Sequence, residues 1–172
     1  MLSARLRVST SSRFFLSSSA CASASFIICS ISCSDKPADA VISSRGCVFN
    51  CAYCSGKELW SKKYRYRSAT NIVDEIEEMV GRYGTNGIVF NDDSFTINEK
   101  RVLEFCEELL RRRLKIKWIC STRVDLVNLP LLKEMKSAGC ESIGFGIESG
   151  SQHILDFIKK EITLEQVRYS ID

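Results

Sequence analysis

Ile72, Val73, Ile76, Met79, Val80 and Tyr83 fall at i, i+1, i+4, i+7, i+8 and i+11, which gathers them on one face of an α-helix. Thr70 can cap its start and Gly84 can end it. On either side stand short apolar runs, Ala40-Val41-Ile42 before and Gly87-Ile88-Val89-Phe90 after. A continuous run of this length, without polar alternation, suits a strand buried on both faces. The pattern then repeats. Asn98 can cap a second helix carrying Val102, Leu103, Cys106, Leu109 and Leu110, and Ile116 to Cys120 reads as a third strand. Asn128 with Pro130 opens a third helix that Gly139 closes. Ser142 to Ile147 is a fourth strand, followed by the turn Glu148-Ser149-Gly150-Ser151, a helix from about Gln152 and a further helical start at Thr163.

About four strand–helix units in succession imply an α/β fold, with right-handed crossovers and a parallel sheet. An open doubly wound sheet and part of a (β/α) barrel both satisfy the pattern. A whole barrel takes roughly 250 residues, so a chain of 172 residues supplies only a partial one. In either architecture the chemistry belongs at the C-terminal ends of the strands. The polar segments 46–56, 91–95, 121–125 and 148–151 all follow strands and are expected on one rim.

Charge changes the picture at the N-terminus. Residues 1–34 hold three arginines, twelve serines and no acid, leaving 21 basic against 21 acidic groups in the remainder. A Ser-rich, acid-poor segment has the composition of an organelle transit peptide or a disordered tail. Residues 1–37 are therefore read apart from a domain spanning 38–172. The neutral remainder gives no strong nucleic-acid signal, although Tyr64 and Tyr66 lie among the basic residues of 57–67, which read as a solvated linker. No apolar run is long enough for a membrane-spanning helix.

The nine cysteines divide into three sets. Cys21, Cys29 and Cys33 lie in the tail, and Cys106, Cys120 and Cys140 sit singly in apolar patterns, as small buried hydrophobes do. Cys47, Cys51 and Cys54 crowd into eight residues, the spacing of metal ligands. Thiolates bind zinc and iron–sulfur clusters. Structural zinc closes a tetrahedron with four ligands, and the one histidine, His153, is remote in sequence and reads as a surface helix residue. Three thiolates on a cubane would leave one iron open, as in a catalytic centre. Spacing alone leaves zinc and an iron–sulfur cluster both open.

In Cys47-Val48-Phe49-Asn50-Cys51-Ala52-Tyr53-Cys54 the sequence resembles the C-x-x-x-C-x-aromatic-C motif of the radical SAM superfamily. The segments 91–95 (Asn-Asp-Asp-Ser-Phe), 121–125 (Ser-Thr-Arg-Val-Asp) and 144–151 (Gly-Phe-Gly-Ile-Glu-Ser-Gly-Ser) resemble, in order, the later strand ends of the subgroup that often carries a cobalamin-binding domain. The resemblance implies a [4Fe–4S] cluster on Cys47, Cys51 and Cys54 that cleaves S-adenosyl-L-methionine (SAM) to a 5′-deoxyadenosyl radical. It implies cofactor contacts for Tyr53 with the adenine, Asp92 and Asp93 with the methionine amino group, Arg123 with the carboxylate, and Glu148 and Ser149 with the ribose. Each has a plainer alternative in packing, capping or, for Arg123, an ion pair with Asp125. No residue is assigned to catalysis on the substrate.

The resemblance further implies an electron donor of the flavodoxin or ferredoxin type. An oxygen-sensitive cluster favours the cytoplasm, with an organelle as the alternative that the tail supports. A cobalamin domain is not expected in this sequence, so a separate domain or partner would supply that cofactor. The barrel is expected to stop after its fourth unit, which makes the chain the N-terminal part of a radical SAM core and leaves the substrate unread. The competing function is a non-catalytic iron–sulfur or zinc module for electron transfer or assembly.

Overall fold

The computed structural model describes residues 7–10 and 38–171. Apart from 7–10, the transit-like segment 1–37 lies outside the described residues, as do Cys21, Cys29 and Cys33. The strands are β1 (Arg7–Thr10), β2 (Ala38–Val41), β3 (Ser44–Arg45), β4 (Arg65–Tyr66), β5 (Gly87–Phe90), β6 (Lys117–Thr122) and β7 (Cys140–Phe145). The helices are α1 (Gly56–Trp60), α2 (Ala69–Tyr83), α3 (Glu99–Arg111), α4 (Leu129–Ser137), α5 (Gln152–Phe157) and α6 (Leu164–Ile171).

The main sheet is parallel throughout and runs β1-β7-β6-β5-β2. Within this sheet β2, β5, β6 and β7 lie side by side in chain order, while β3 and β4 pair apart from it. Right-handed crossovers that always step the same way put α2, α3 and α4 on one face, where α2 packs on α3 and α3 on α4. A doubly wound sheet reverses its stepping at a switch point; this one does not. The architecture is therefore the partial (β/α) barrel, with the sheet unclosed. β1 was not anticipated: it pairs with β7, Arg7 opposite Ser142 and Thr10 opposite Phe145, inside the segment that sequence reasoning left out of the fold.

Between sheet and helices lie Ile72, Ile76, Val102, Leu109, Leu131, Met135 and Ile143, around an aromatic group of Phe90, Phe95, Phe105 and Trp118. Its ring centroids stand between 4.6 Å (Phe90–Phe95) and 6.0 Å (Phe95–Phe105) apart. Trp118 Nε1 donates to the Ala138 carbonyl at 2.9 Å, so the indole is buried without an orphaned donor. Cys106, Cys120 and Cys140 are buried here, and burial pushes the Cys106 thiol up to about 12.

Asn98 and Asn128 cap α3 and α4 as expected, accepting from Arg101 N at 3.1 Å and Leu131 N at 2.9 Å. Ser68 caps α2 in place of Thr70: its backbone is still extended, and its hydroxyl accepts from Asn71 N at 3.3 Å. The third and fourth strands lie a residue or two from their expected bounds. The basic segment 57–67, expected as linker, instead supplies most of α1 and the strand β4, which pairs antiparallel with β3. Gly139 has φ +95°, and a Cβ there would stand 2.2 Å from the Ile116 carbonyl oxygen, so only glycine lets α4 turn directly into β7.

Candidate cofactor site

The segments expected on one rim are joined by hydrogen bonds. Phe95 N donates to Ser121 O at 2.9 Å and Gly146 N to Thr122 O at 3.1 Å, tying the loops after β5 and β7 to β6. The Thr122 hydroxyl is buried between Ser94 Oγ (3.0 Å) and Thr96 Oγ1 (2.5 Å).

The two adjacent aspartates after β5 face different ways. Asp92 is buried: Oδ1 accepts from Ser43 N at 2.7 Å, and Oδ2 from the Ser43 and Ser44 hydroxyls at 2.5 and 2.6 Å. Arg101 reaches from α3 to within 3.7 Å of that carboxylate and donates to Ser43 Oγ (2.7 Å) and Phe95 O (2.8 Å). Asp92 thus fixes the turn leading into the cysteine loop from beneath. Asp93 is exposed and accepts from Gly46 N at 3.0 Å, one residue before Cys47. Gly46 has φ +89°, and a Cβ on it would stand 2.0 Å from Lys63 O, so the loop passes under the α1–β4 segment only as glycine.

Two of the three cysteines of the loop have an N–H donor at the sulfur. Arg123 Nη1 reaches Cys51 Sγ at 3.9 Å, and Gly56 N donates to Cys54 Sγ at 3.3 Å. Burial raises the Cys47 thiol above its ordinary value, while the Phe49 amide pulls it down. Cys51 is buried, Cys47 half-buried and Cys54 exposed. Among the described residues no three His, Cys, Asp or Glu side chains converge on one point as ligands to a single ion do. A cubane does not ask that of them, since its ligands attach to different irons at its corners. Two sulfurs already offered N–H donors suit the thiolates such a cluster requires.

Across the rim, Lys160 joins two predicted site residues. Its ammonium is 3.0 Å from the Tyr53 hydroxyl and 3.1 Å from Glu148 Oε1, with its side chain 6% exposed. Burial, and after it the neighbouring Glu148, drives the Tyr53 phenol far above its usual range, so it stays protonated. Glu148 takes a positive φ of 75°, uncommon for a residue with a Cβ. A Cβ at Gly146 would stand 3.2 Å from Glu148 Oε1 and 3.3 Å from Lys160 Nζ, which leaves that glycine little room for replacement. Ser149 is buried, and its hydroxyl accepts from Ser151 N at 3.1 Å at the start of α5. Ala52 N donates to Ile158 O at 2.8 Å, so the cysteine loop also rests on the turn after α5.

Arg123 is buried, with its guanidinium 3.6 Å from the Phe49 ring centroid and its Nε and Nη2 each 2.8 Å from the Asp125 carboxylate. The ion pair weighed as the plainer alternative is thus formed.

The structure therefore brings the three cysteines, Tyr53, Asp93, Arg123 and Glu148 to one rim, turns Asp92 inward and leaves Ser149 engaged in a turn. His153 is an exposed helix residue. Sequence reasoning missed Lys160 and Phe49. Lys160 carries no motif that marks it, whereas Phe49 stood inside the cysteine motif as an unassigned aromatic.

The family model described as the radical SAM superfamily matches residues 41–172. An uncharacterised methyltransferase of Pyrococcus horikoshii is 40% identical over 130 residues, 76% of this chain and 28% of that protein. The anaerobic magnesium-protoporphyrin IX monomethyl ester cyclase of Cereibacter sphaeroides is 39% identical over 132 residues, 74% of this chain and 21% of that one. This chain thus spans less than a third of either relative's length. Among solved structures, the cobalamin-dependent S-adenosylmethionine radical enzyme OxsB, with aqua-cobalamin and S-adenosylmethionine bound, superposes with TM-score 0.64 at 26% identity, covering 76% of this chain and 21% of that one.

Proposed function

Because the chain belongs to the radical SAM superfamily, we propose that it is the cluster- and SAM-holding part of an enzyme that cleaves SAM reductively. A [4Fe–4S] cluster on Cys47, Cys51 and Cys54 would chelate SAM at its open iron and supply the electron that releases methionine and the 5′-deoxyadenosyl radical. The observation that carries this reading is the donor set: three sulfurs on one eight-residue loop, two of them offered an N–H group.

The chain's own residues would bind and orient SAM. Tyr53, protonated and tethered by Lys160, offers its ring to the adenine. Glu148, fixed by the same lysine, has a carboxylate able to accept from ribose hydroxyls, and Ser149 shapes the turn beside it. Asp93, next to the loop entrance, is the exposed acid of its pair and suits the methionine amino group. Asp92 acts beneath, holding the loop in place. Arg123, paired with Asp125, lies against Phe49 and Cys51 of the loop rather than open to SAM.

Methyl transfer and ring formation are the reaction classes of the relatives, and we assign this chain to the same broad range with its substrate open. OxsB carries cobalamin, and in this system a separate domain or partner would supply it. The electron would come from a flavodoxin- or ferredoxin-type protein, and the reduced cluster suits the reducing cytoplasm. Among the described residues no helix is long and apolar enough to cross a membrane.

Anaerobic reconstitution with iron and sulfide tests the proposal. The expected result is one cubane per chain by absorbance and iron analysis, with SAM cleavage under dithionite. Stoichiometric zinc, or a cluster that never turns SAM over, would leave the competing non-catalytic module as the function.

A further inference from the structure

Arg123 has a geometry that SAM binding does not explain. A guanidinium meant for the SAM carboxylate would keep its two-pronged edge free for it. Here that edge, Nε and Nη2, is committed to Asp125 at 2.8 Å on both contacts. Nη2 also lies 3.4 Å from the Glu161 carbonyl oxygen. The remaining nitrogen, Nη1, points to Cys51 Sγ at 3.9 Å. The plane is held against Phe49, a residue of the cysteine loop, with Cζ 3.6 Å from the ring centroid. The whole side chain is 6% exposed, so salt and solvent screen its field at the sulfur far less than at the surface.

We propose that Arg123 is a positioning residue for the cluster, donating from Nη1 to the Cys51 sulfur and setting the cluster's reduction potential through that bond and its charge. The inference rests on the cluster reading above and assigns this residue within it. Reduction adds one negative charge to the cluster. A buried cation and an N–H···S bond at a ligand sulfur stabilise the reduced form more than the oxidised one, which moves the midpoint to higher potential. Asp125 offsets part of that charge and sets how far the midpoint rises. Phe49 fixes the plane, so loop and arginine move as one body.

The test is a potentiometric titration of the reconstituted full chain, followed by electron paramagnetic resonance of the reduced cluster. Arg123→Gln is expected to shift the midpoint to more negative potential with iron content unchanged, and Asp125→Asn to shift it to more positive potential. SAM affinity of the oxidised protein should be the same in Arg123→Gln as in the parent. An unshifted midpoint in an Arg123→Gln protein with a full cluster overturns the proposal, as does a tenfold loss of SAM affinity with the midpoint unmoved, which would return Arg123 to the carboxylate. If Arg123→Gln does not hold the cluster, Asp125→Asn decides: it keeps the arginine, and an unshifted midpoint there overturns the proposal. Failure of the parent chain to assemble any cluster would instead strike the functional reading.

Discussion

The Tyr53 hydroxyl and the Lys160 ammonium stand 3.0 Å apart across 107 positions of sequence. Tyr53 belongs to the cysteine loop, and Lys160 lies between α5 and α6. The same ammonium holds Glu148, so one buried cation orients an aromatic and a carboxylate assigned to opposite parts of one nucleoside. Lys160→Met removes two hydrogen bonds to a charged group, each worth about 1.5–3 kcal/mol. SAM affinity should fall by about tenfold or more, since each 1.4 kcal/mol is a factor of about ten, while the iron content of the reconstituted cluster stays the same. Equilibrium binding of SAM to the oxidised protein measures it. Unchanged affinity would remove Lys160 from the site.

Gly46 constrains the loop from the other end. Its φ of +89° and the 2.0 Å from its Cβ position to Lys63 O leave no place for a methyl group. Gly46→Ala should displace the loop or lift α1 and β4 away from it, at a backbone strain on the order of 1–3 kcal/mol before the clash is counted. The expected outcome is a folded protein, with unchanged circular dichroism, that takes up far less iron on reconstitution. Full cluster content in this variant would mean that the loop and the α1–β4 segment are not coupled.

Asp92 tests the division of labour between the adjacent aspartates. It takes three hydrogen bonds from Ser43 and Ser44 and faces Arg101, with neither ionic side chain more than 2% exposed. Breaking a buried pair by removing one partner leaves an uncompensated charge and costs about 3–5 kcal/mol. Asp92→Asn should therefore lower the urea midpoint sharply, whereas Asp93→Asn, at an exposed carboxylate, should leave stability nearly unchanged and weaken SAM binding. The opposite ranking in urea unfolding would contradict the inward orientation of Asp92.

The legibility of this structure follows from where each signal sits. Ile72, Ile76, Met79 and Val80 declared α2 because four turns of helix give the period room to repeat, and Asn98 and Asn128 declared their helices because each is the one good capping side chain at its position. Ser68 and Thr70 can both cap, and the choice between them rests on the backbone of Ser68. β4 is a strand of two residues, too short to carry a period, so the segment around it reads as linker. The cysteine loop was legible because spacing alone defines it. Adjacent acids such as Asp92 and Asp93 look alike in sequence; only the arrival of Arg101 and the Ser43–Ser44 turn makes one structural. Lys160 is a contact between distant segments, and a single sequence contains no mark of it.

Glu108 gives a pH dependence whose sign can be worked out. It accepts from Arg111 at 2.7 Å through both oxygens and from Arg112 Nε at 2.8 Å, while Arg112 also reaches Glu77 and Asp74 on α2 at 2.7 Å. The hydrogen bonds from Arg111 and then Arg112 hold its carboxyl down at about 2, against an ordinary glutamate value of about 4.3. A depressed folded-state value means that the carboxylate favours the native state wherever it is ionised. That contribution is complete above the unfolded value and is lost as pH falls through the folded one. Glu108→Gln should therefore lower the thermal midpoint at pH 7, and the gap to the parent should shrink from about pH 4.3 and close near pH 2. Added salt should also narrow it at pH 7, because the cluster lies near the surface. Thermal unfolding followed by circular dichroism across this range is the measurement; a gap that stays constant, or widens on acidification, would mean that the carboxylate's charge is not what its bonds to Arg111 and Arg112 stabilise.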